Sequence, residues 1–156
     1  MRRLIIASII ALLFTLPIAV AYASPPIEAS GTFSEEPPSI TVLRTAGGNT
    51  ILSWITAGSL TGTVSGTLTD NATIVIHNTG TWDFQGLVTC SCTVGSQSGT
   101  LFLRYEGKGV AFGPSQAKVV ILSGTGGLAN LHGQGTFDLP APGAGTYSGQ
   151  FHFDHN

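Results

Sequence analysis

Glycines at 124, 126, 127, 133 and 135, all within residues 123–137, constrain this chain more than any other feature. The stretch, SGTGGLANLHGQGTF, reads as the end of one β-strand, a corner, a short apolar run and the start of a second strand. Gly124, Gly126 and Gly127 admit backbone angles that a Cβ disfavours. Gly133 and Gly135 lie two apart, so in a strand they share a face. A large neighbour, expected over Gly135 to be an aromatic of the last strand, can then lie across them, or the sheet can bend. Both are ways of curling a sheet. The stretch is not arranged as a nucleophilic site, a phosphate cradle or a metal cage.

The rest of the chain supplies the sheet. Segments 29–34, 40–45, 50–56, 59–69, 73–77, 81–93, 100–106, 116–123, 132–139 and 146–154 read as strands. The clearest is 59–69, where Leu60, Gly62, Val64, Gly66 and Leu68 alternate with Ser and Thr. Strict alternation of period two marks a half-buried strand, with the hydroxyl face outward. In 81–93, Trp82, Phe84, Gly86, Val88, Cys90 and Cys92 share a face. Breaks are read at Glu35-Glu36-Pro37-Pro38, where the prolines remove donors, and at the turn-forming pair Asp70-Asn71. Ala46-Gly47-Gly48-Asn49 reads as a hairpin turn. No segment carries a helical stripe, and many short strands with glycine-rich turns mean a sandwich or a barrel.

Met1-Arg2-Arg3, an apolar run over 4–20 and the small-x-small site Ala21-Tyr22-Ala23 read as a secretory signal peptide over 1–23. Residues 24–28 then form a mobile leader and 29–156 a single barrel domain, placed by the signal in the periplasm or outside the cell. The alternative for the apolar run is an uncleaved anchor. The remaining basic residues, Arg44, Arg104, Lys108 and Lys118, face eight acids. A mildly acidic, charge-poor surface argues against nucleic acid and against anionic membranes as partners. Nothing in the sequence sets the oligomeric state.

Several short motifs recur in a fixed order: Ala29-Ser30-Gly31-Thr32-Phe33, Thr61-Gly62-Thr63-Val64-Ser65-Gly66, Phe84-Gln85-Gly86-Leu87, Ser98-Gly99-Thr100-Leu101, the 123–137 stretch and the closing Tyr147 to Phe153. In this order the chain resembles a bacterial family of small uncharacterised proteins similar to allene oxide cyclases and dirigent proteins. The resemblance implies an all-β, eight-stranded antiparallel barrel of the allene oxide cyclase-like type. It implies no activity and carries no catalytic residue onto this chain.

Candidate chemistry is sparse. Cys90 and Cys92 are the only cysteines. Export favours a disulfide, whereas extended geometry separates residues two apart too widely for one, so bridge and free thiols both stand. His132 and His152, with Asp154, become neighbours if the last two strands pair. They then form a polar cluster, an acid–base pair, a weak metal site or a solvated outer face, and the alternation favours the last. Arg104 and Glu106 share a face with Phe102 and mark either a cavity mouth or a surface ion pair. Asn71-Ala72-Thr73 is a glycosylation sequon. No phosphate loop occurs and Cys-Ser-Cys alone is half a metal site, so no metal and no cofactor is expected.

Three functions fit such a barrel. It can hold a small apolar ligand in its lumen, walled by Trp54, Trp82, Phe84 and Phe102. It can act as an isomerase or cyclase whose lumen shapes a reactive substrate. It can be filled with side chains and serve a structural or surface-interaction role. A hollow lumen separates the first two from the third. A carboxylate or histidine lining the lumen separates the second from the first.

Overall fold

The computed structural model describes residues 25–154, and the leader expected over 1–23 lies outside them. Nine antiparallel strands follow in order: β1 (Ile27–Glu35), β2 (Ser39–Ala46), β3 (Asn49–Gly62), β4 (Val64–Ile76), β5 (Thr81–Val94), β6 (Gln97–Val110), β7 (Ser115–Gly124), β8 (Leu131–Ala141) and β9 (Ala144–Phe153). Each of β2 to β9 pairs with its sequence neighbour, and β1 pairs with β9 on one side and β3 on the other. The sheet therefore closes into an eight-stranded barrel, with β2 as a ninth strand outside the ring.

The two roles of β3 explain the extra strand. Its second half closes the barrel against β1, from Gly58↔Glu35 to Gly62↔Gly31. Its first half carries β2, from Asn49↔Ala46 to Ile55↔Ser39. The chain changes between these positions at Glu36-Pro37-Pro38, where proline cannot continue a ladder. The crossing is pinned by Glu36 N–H donating to Ala57 O at 2.8 Å and by Thr56 Oγ1 donating to Glu36 O at 2.7 Å.

Two expected breaks move. Residues 59–69 are not one strand, because the chain reverses between β3 and β4 at Thr63, beside Gly62 with φ +112°. Thr63 is clamped to β1, its N–H and Oγ1 both donating to Ser30 O and its Oγ1 accepting from Ser30 N–H. Asp70-Asn71 is no turn but the middle of β4, with Asp70 paired to Thr56 and Val88. Turn chemistry at these two residues yields to the neighbouring ladders, which satisfy their backbone groups as a turn otherwise would. Asn71 of the sequon is exposed on a strand rather than at a turn.

The alternating faces hold despite the moved breaks. Leu60, Leu68, Trp82, Val88, Cys90 and Cys92 are buried in the core, while the Ser and Thr positions between them mostly face out. One end of the barrel is plugged by the 3-10 turn Gly126–Leu128, whose Leu128 is fully buried beside Leu101, in the corner that the glycines predict. Gly133 lies under Phe151 as expected of that face. At Gly135 an added Cβ meets the β9 backbone at Ser148 and Gly149, not an aromatic ring.

Candidate lumenal site

The inward faces of β1, β3 to β8 and the β8–β9 turn enclose a cavity of about 90 Å³. Aromatic rings form much of its wall. Trp82 contacts Phe84 at 5.7 Å between centroids, Phe84 contacts Tyr105 at 6.1 Å, Tyr105 contacts Phe137 at 6.4 Å, and Phe137 contacts Phe33 at 5.2 Å. Glycine on the neighbouring strand seats two of these rings. An added Cβ at Gly86 falls 2.6 Å from Tyr105 Oη, and one at Gly107 falls 2.5 Å from the Phe84 ring.

A second cavity of about 70 Å³ lies towards Leu101, Ile121 and Phe151, and Leu60, Leu103 and Phe137 border both. The lumen is thus neither solid nor one open well. Each space is smaller than the ~150 Å³ apolar cavity that admits benzene.

Three oxygen-bearing side chains interrupt this apolar lining. Asp70 projects inward from β4 and is 2 % exposed. Its Oδ2 accepts a hydrogen bond from Tyr105 Oη at 2.7 Å, and its Oδ1 is buried with no hydrogen-bond partner. Glu35, the last residue of β1, lines the same cavity near Pro142 and Gly143 and is half-buried. Its backbone N–H donates to Gly143 O at 2.7 Å.

Burial raises both acids. Desolvation lifts Glu35 to about 7, with the Asp70 charge adding to the rise. Desolvation lifts Asp70 to about 6 against the opposing pull of the Tyr105 hydrogen bond and the nearby Asn71 N–H. Tyr105 is held well above the usual phenol range by burial and by the neighbouring carboxylates. Two carboxyls with raised, mutually coupled affinities for protons, in a pocket of aromatic rings, form a pair able to exchange protons near neutrality.

The other expected residues fall as follows. Trp54, Trp82 and Phe84 line the cavity. Phe102 does not: it is 38 % exposed on the outer face of β6, and period two puts it there with Arg104 and Glu106. That charge pair is an exposed surface contact at 3.9 Å, not a cavity mouth.

His132 and His152 are direct cross-strand partners with rings stacked at 5.9 Å, and Asp154 reaches both, at 3.2 and 3.3 Å. The cluster forms on the outside of the barrel, away from the lumen. Among the described residues no group of three or more His, Cys, Asp or Glu side chains is placed to hold a metal ion.

Cys90 and Cys92 are joined in a disulfide on the inward face of β5. Their Cα atoms are 5.3 Å apart, where two steps of a regular strand span about 6.4–6.8 Å. Contraction of the strand opposite Gly66 removes the geometric objection to the bridge. Outside the barrel, a broad groove over β4 to β8 carries charges of both signs, among them Asp83, Lys108, Lys118 and Asp138.

The description "Protein of unknown function (DUF3224)" belongs to the family model that matches residues 29–151. The chain belongs to the DUF3224 family. A crystal structure of a DUF3224 family protein of unknown function from Shewanella oneidensis MR-1 superposes with a TM-score of 0.71 at 15 % identity. The match covers 85 % of this chain and 100 % of that one, and it shows the fold alone. No curated protein matches the chain. Membership of an uncharacterised bacterial family, expected from the ordered motifs, is thereby shown for this DUF3224 barrel.

Proposed function

We propose that the protein is exported and that its barrel binds a small, mostly apolar molecule in the lumen between Trp54, Trp82, Phe84 and Tyr105. The observation that carries the reading is Asp70 Oδ1, a buried, unpartnered acceptor on a residue that lines an aromatic cavity. A buried acceptor left unpaired costs roughly 1–3 kcal/mol, and a ligand donor removes that cost. Apolar burial then contributes ~25 cal/mol per Å² before ordering losses. The small cavity limits the ligand to a compact body, or to a longer one that extends past Glu35 and Gly143.

Both tryptophans of the chain line the cavity, so intrinsic fluorescence reports on it. Titration with compact aliphatic molecules such as 1-propanol, small enough for a space of about 90 Å³, is expected to give a saturable change. Ala72→Leu, which fills the cavity, is expected to abolish that change. Saturable binding that survives the filling counts against a lumenal site.

A second reading is favoured by one observation, the presence of two lumenal carboxyls raised to about 6 and about 7. Such groups suit general acid–base work at neutral pH. The barrel then acts as an isomerase, one carboxylate taking a proton from the substrate and a carboxyl returning one elsewhere. Recovery of a bound unsaturated ligand unchanged after prolonged incubation counts against it.

A further inference from the structure

We propose that the lumenal ligand is a small organic cation, an amine whose ammonium group seats on Asp70 and Glu35 with its apolar body against the aromatic rings. The inference rests on the lumenal-binding reading and narrows it. The first argument is a balance of donors and acceptors. Tyr105 Oη is already committed to Asp70 Oδ2, and Trp82 Nε1 to Ser115 Oγ at 2.7 Å. Asp70 Oδ1 therefore awaits a donor.

The second argument is charge. The titratable groups facing the cavity are Glu35 from β1, Asp70 from β4 and Tyr105 from β6, while the other lining elements contribute only uncharged side chains. All four basic residues of the barrel, Arg44, Arg104, Lys108 and Lys118, are exposed. An anionic ligand meets only repulsion in such a lumen, and a neutral one leaves two coupled acids uncompensated. A monocation neutralises the pair when the two carboxyls keep one proton between them.

The third argument is the wall. Ring faces carry negative charge density and attract an organic cation by cation–π contact. A hard metal ion instead needs six or more oxygen ligands, and this lining offers two carboxyls and one phenol among carbon. The cavity volume sets the scale at a short alkylamine.

Seating the cation requires the pair to carry a negative charge, so binding below about pH 6, where both carboxyls hold protons, releases one. The raised proton affinities of Glu35 and Asp70 agree with this. An alkylamine stays charged well above that range, as lysine does. Affinity is therefore expected to climb between about pH 5 and pH 8.

The test is calorimetric titration of the folded protein with propylamine, 1-propanol and propionate at pH 5 and pH 8. Propylamine is expected to bind better at pH 8 than at pH 5 and to release protons at pH 5, where the free carboxyls still hold them, seen as a dependence of the heat on buffer. Asp70→Asn is expected to weaken it about tenfold or more, the scale of a lost charge-assisted contact, and Glu35→Gln serves as an independent second variant. The propanol affinity should change little in either. Equal binding of propanol and propylamine, unmoved by both variants, overturns the cation and leaves the lumenal site standing. No binding of any of the three overturns both, and leaves cavity water to satisfy Oδ1.

Discussion

Tyr105 Oη donates to Asp70 Oδ2 at 2.7 Å across the lumen, joining residues 35 positions apart on β6 and β4. The bond holds one oxygen of a buried carboxyl and leaves the other without a partner. Tyr105→Phe keeps the ring and removes the donor. It is expected to lower stability by about 1–3 kcal/mol and to raise the Asp70 proton affinity further. Chemical denaturation checks the first effect, and a carboxyl-carbon NMR titration checks the second.

The same carboxyl gives stability a pH dependence. Asp70 rises from 3.8 to about 6 on folding, so the folded protein holds its proton more tightly than the unfolded chain. The contribution is complete below the unfolded value and is lost as pH climbs through about 6. Glu35, raised from 4.5 to about 7, acts in the same sense. For buried Asp70 the swing is on the order of 2–3 kcal/mol. Melting temperatures from pH 4 to pH 8 should therefore fall more steeply in the wild type than in Asp70→Asn. Parallel curves would show that burial does not tax the charge.

Gly86 makes room for the ring that holds Asp70. A side chain there presses on Tyr105, which is rigid and has no free end to swing aside. Gly86→Val is expected to cost about 1–3 kcal/mol by overpacking and to abolish the Tyr105–Asp70 bond. Gly80→Ala is the contrasting control: a Cβ there meets nothing within 4 Å, although φ is +80°. Equal, negligible effects of both substitutions on the Asp70 titration would contradict the seating role of Gly86.

Much of the fold was legible because it rests on period two. Trp82, Phe84, Val88, Cys90 and Cys92 share an inward face as their spacing demands. The site was less legible for a local reason. Asp-Asn is turn chemistry and Glu-Glu-Pro-Pro is a strand breaker, so Asp70 and Glu35 read as boundaries. Carrying the count Leu68, Asp70, Ala72, Ile74 through the apparent turn puts an acid on an apolar face, which is the signal of a lumenal group. Tyr105 was findable too, since it shares a face with Leu101 and Leu103 while Phe102 shares one with Arg104 and Glu106. The coupling of Glu35 to Asp70 depends on barrel closure by β1, a long-range fact no local pattern carries.

Export is a separate expectation, from the charged start, apolar run and Ala21-Tyr22-Ala23 site. Intact mass of the secreted protein should place its first residue at Ser24. A secreted protein still beginning at Met1 would contradict cleavage.

Residue-resolved NMR during titration with propylamine tests the lumenal site most directly. Saturable shifts are predicted at the Trp54 and Trp82 indoles and at the amides of Glu35, Asp70 and Tyr105. The outer groove at Lys108 and Lys118 should stay unmoved. Saturable shifts confined to that groove, or no saturable shift anywhere, would contradict the account.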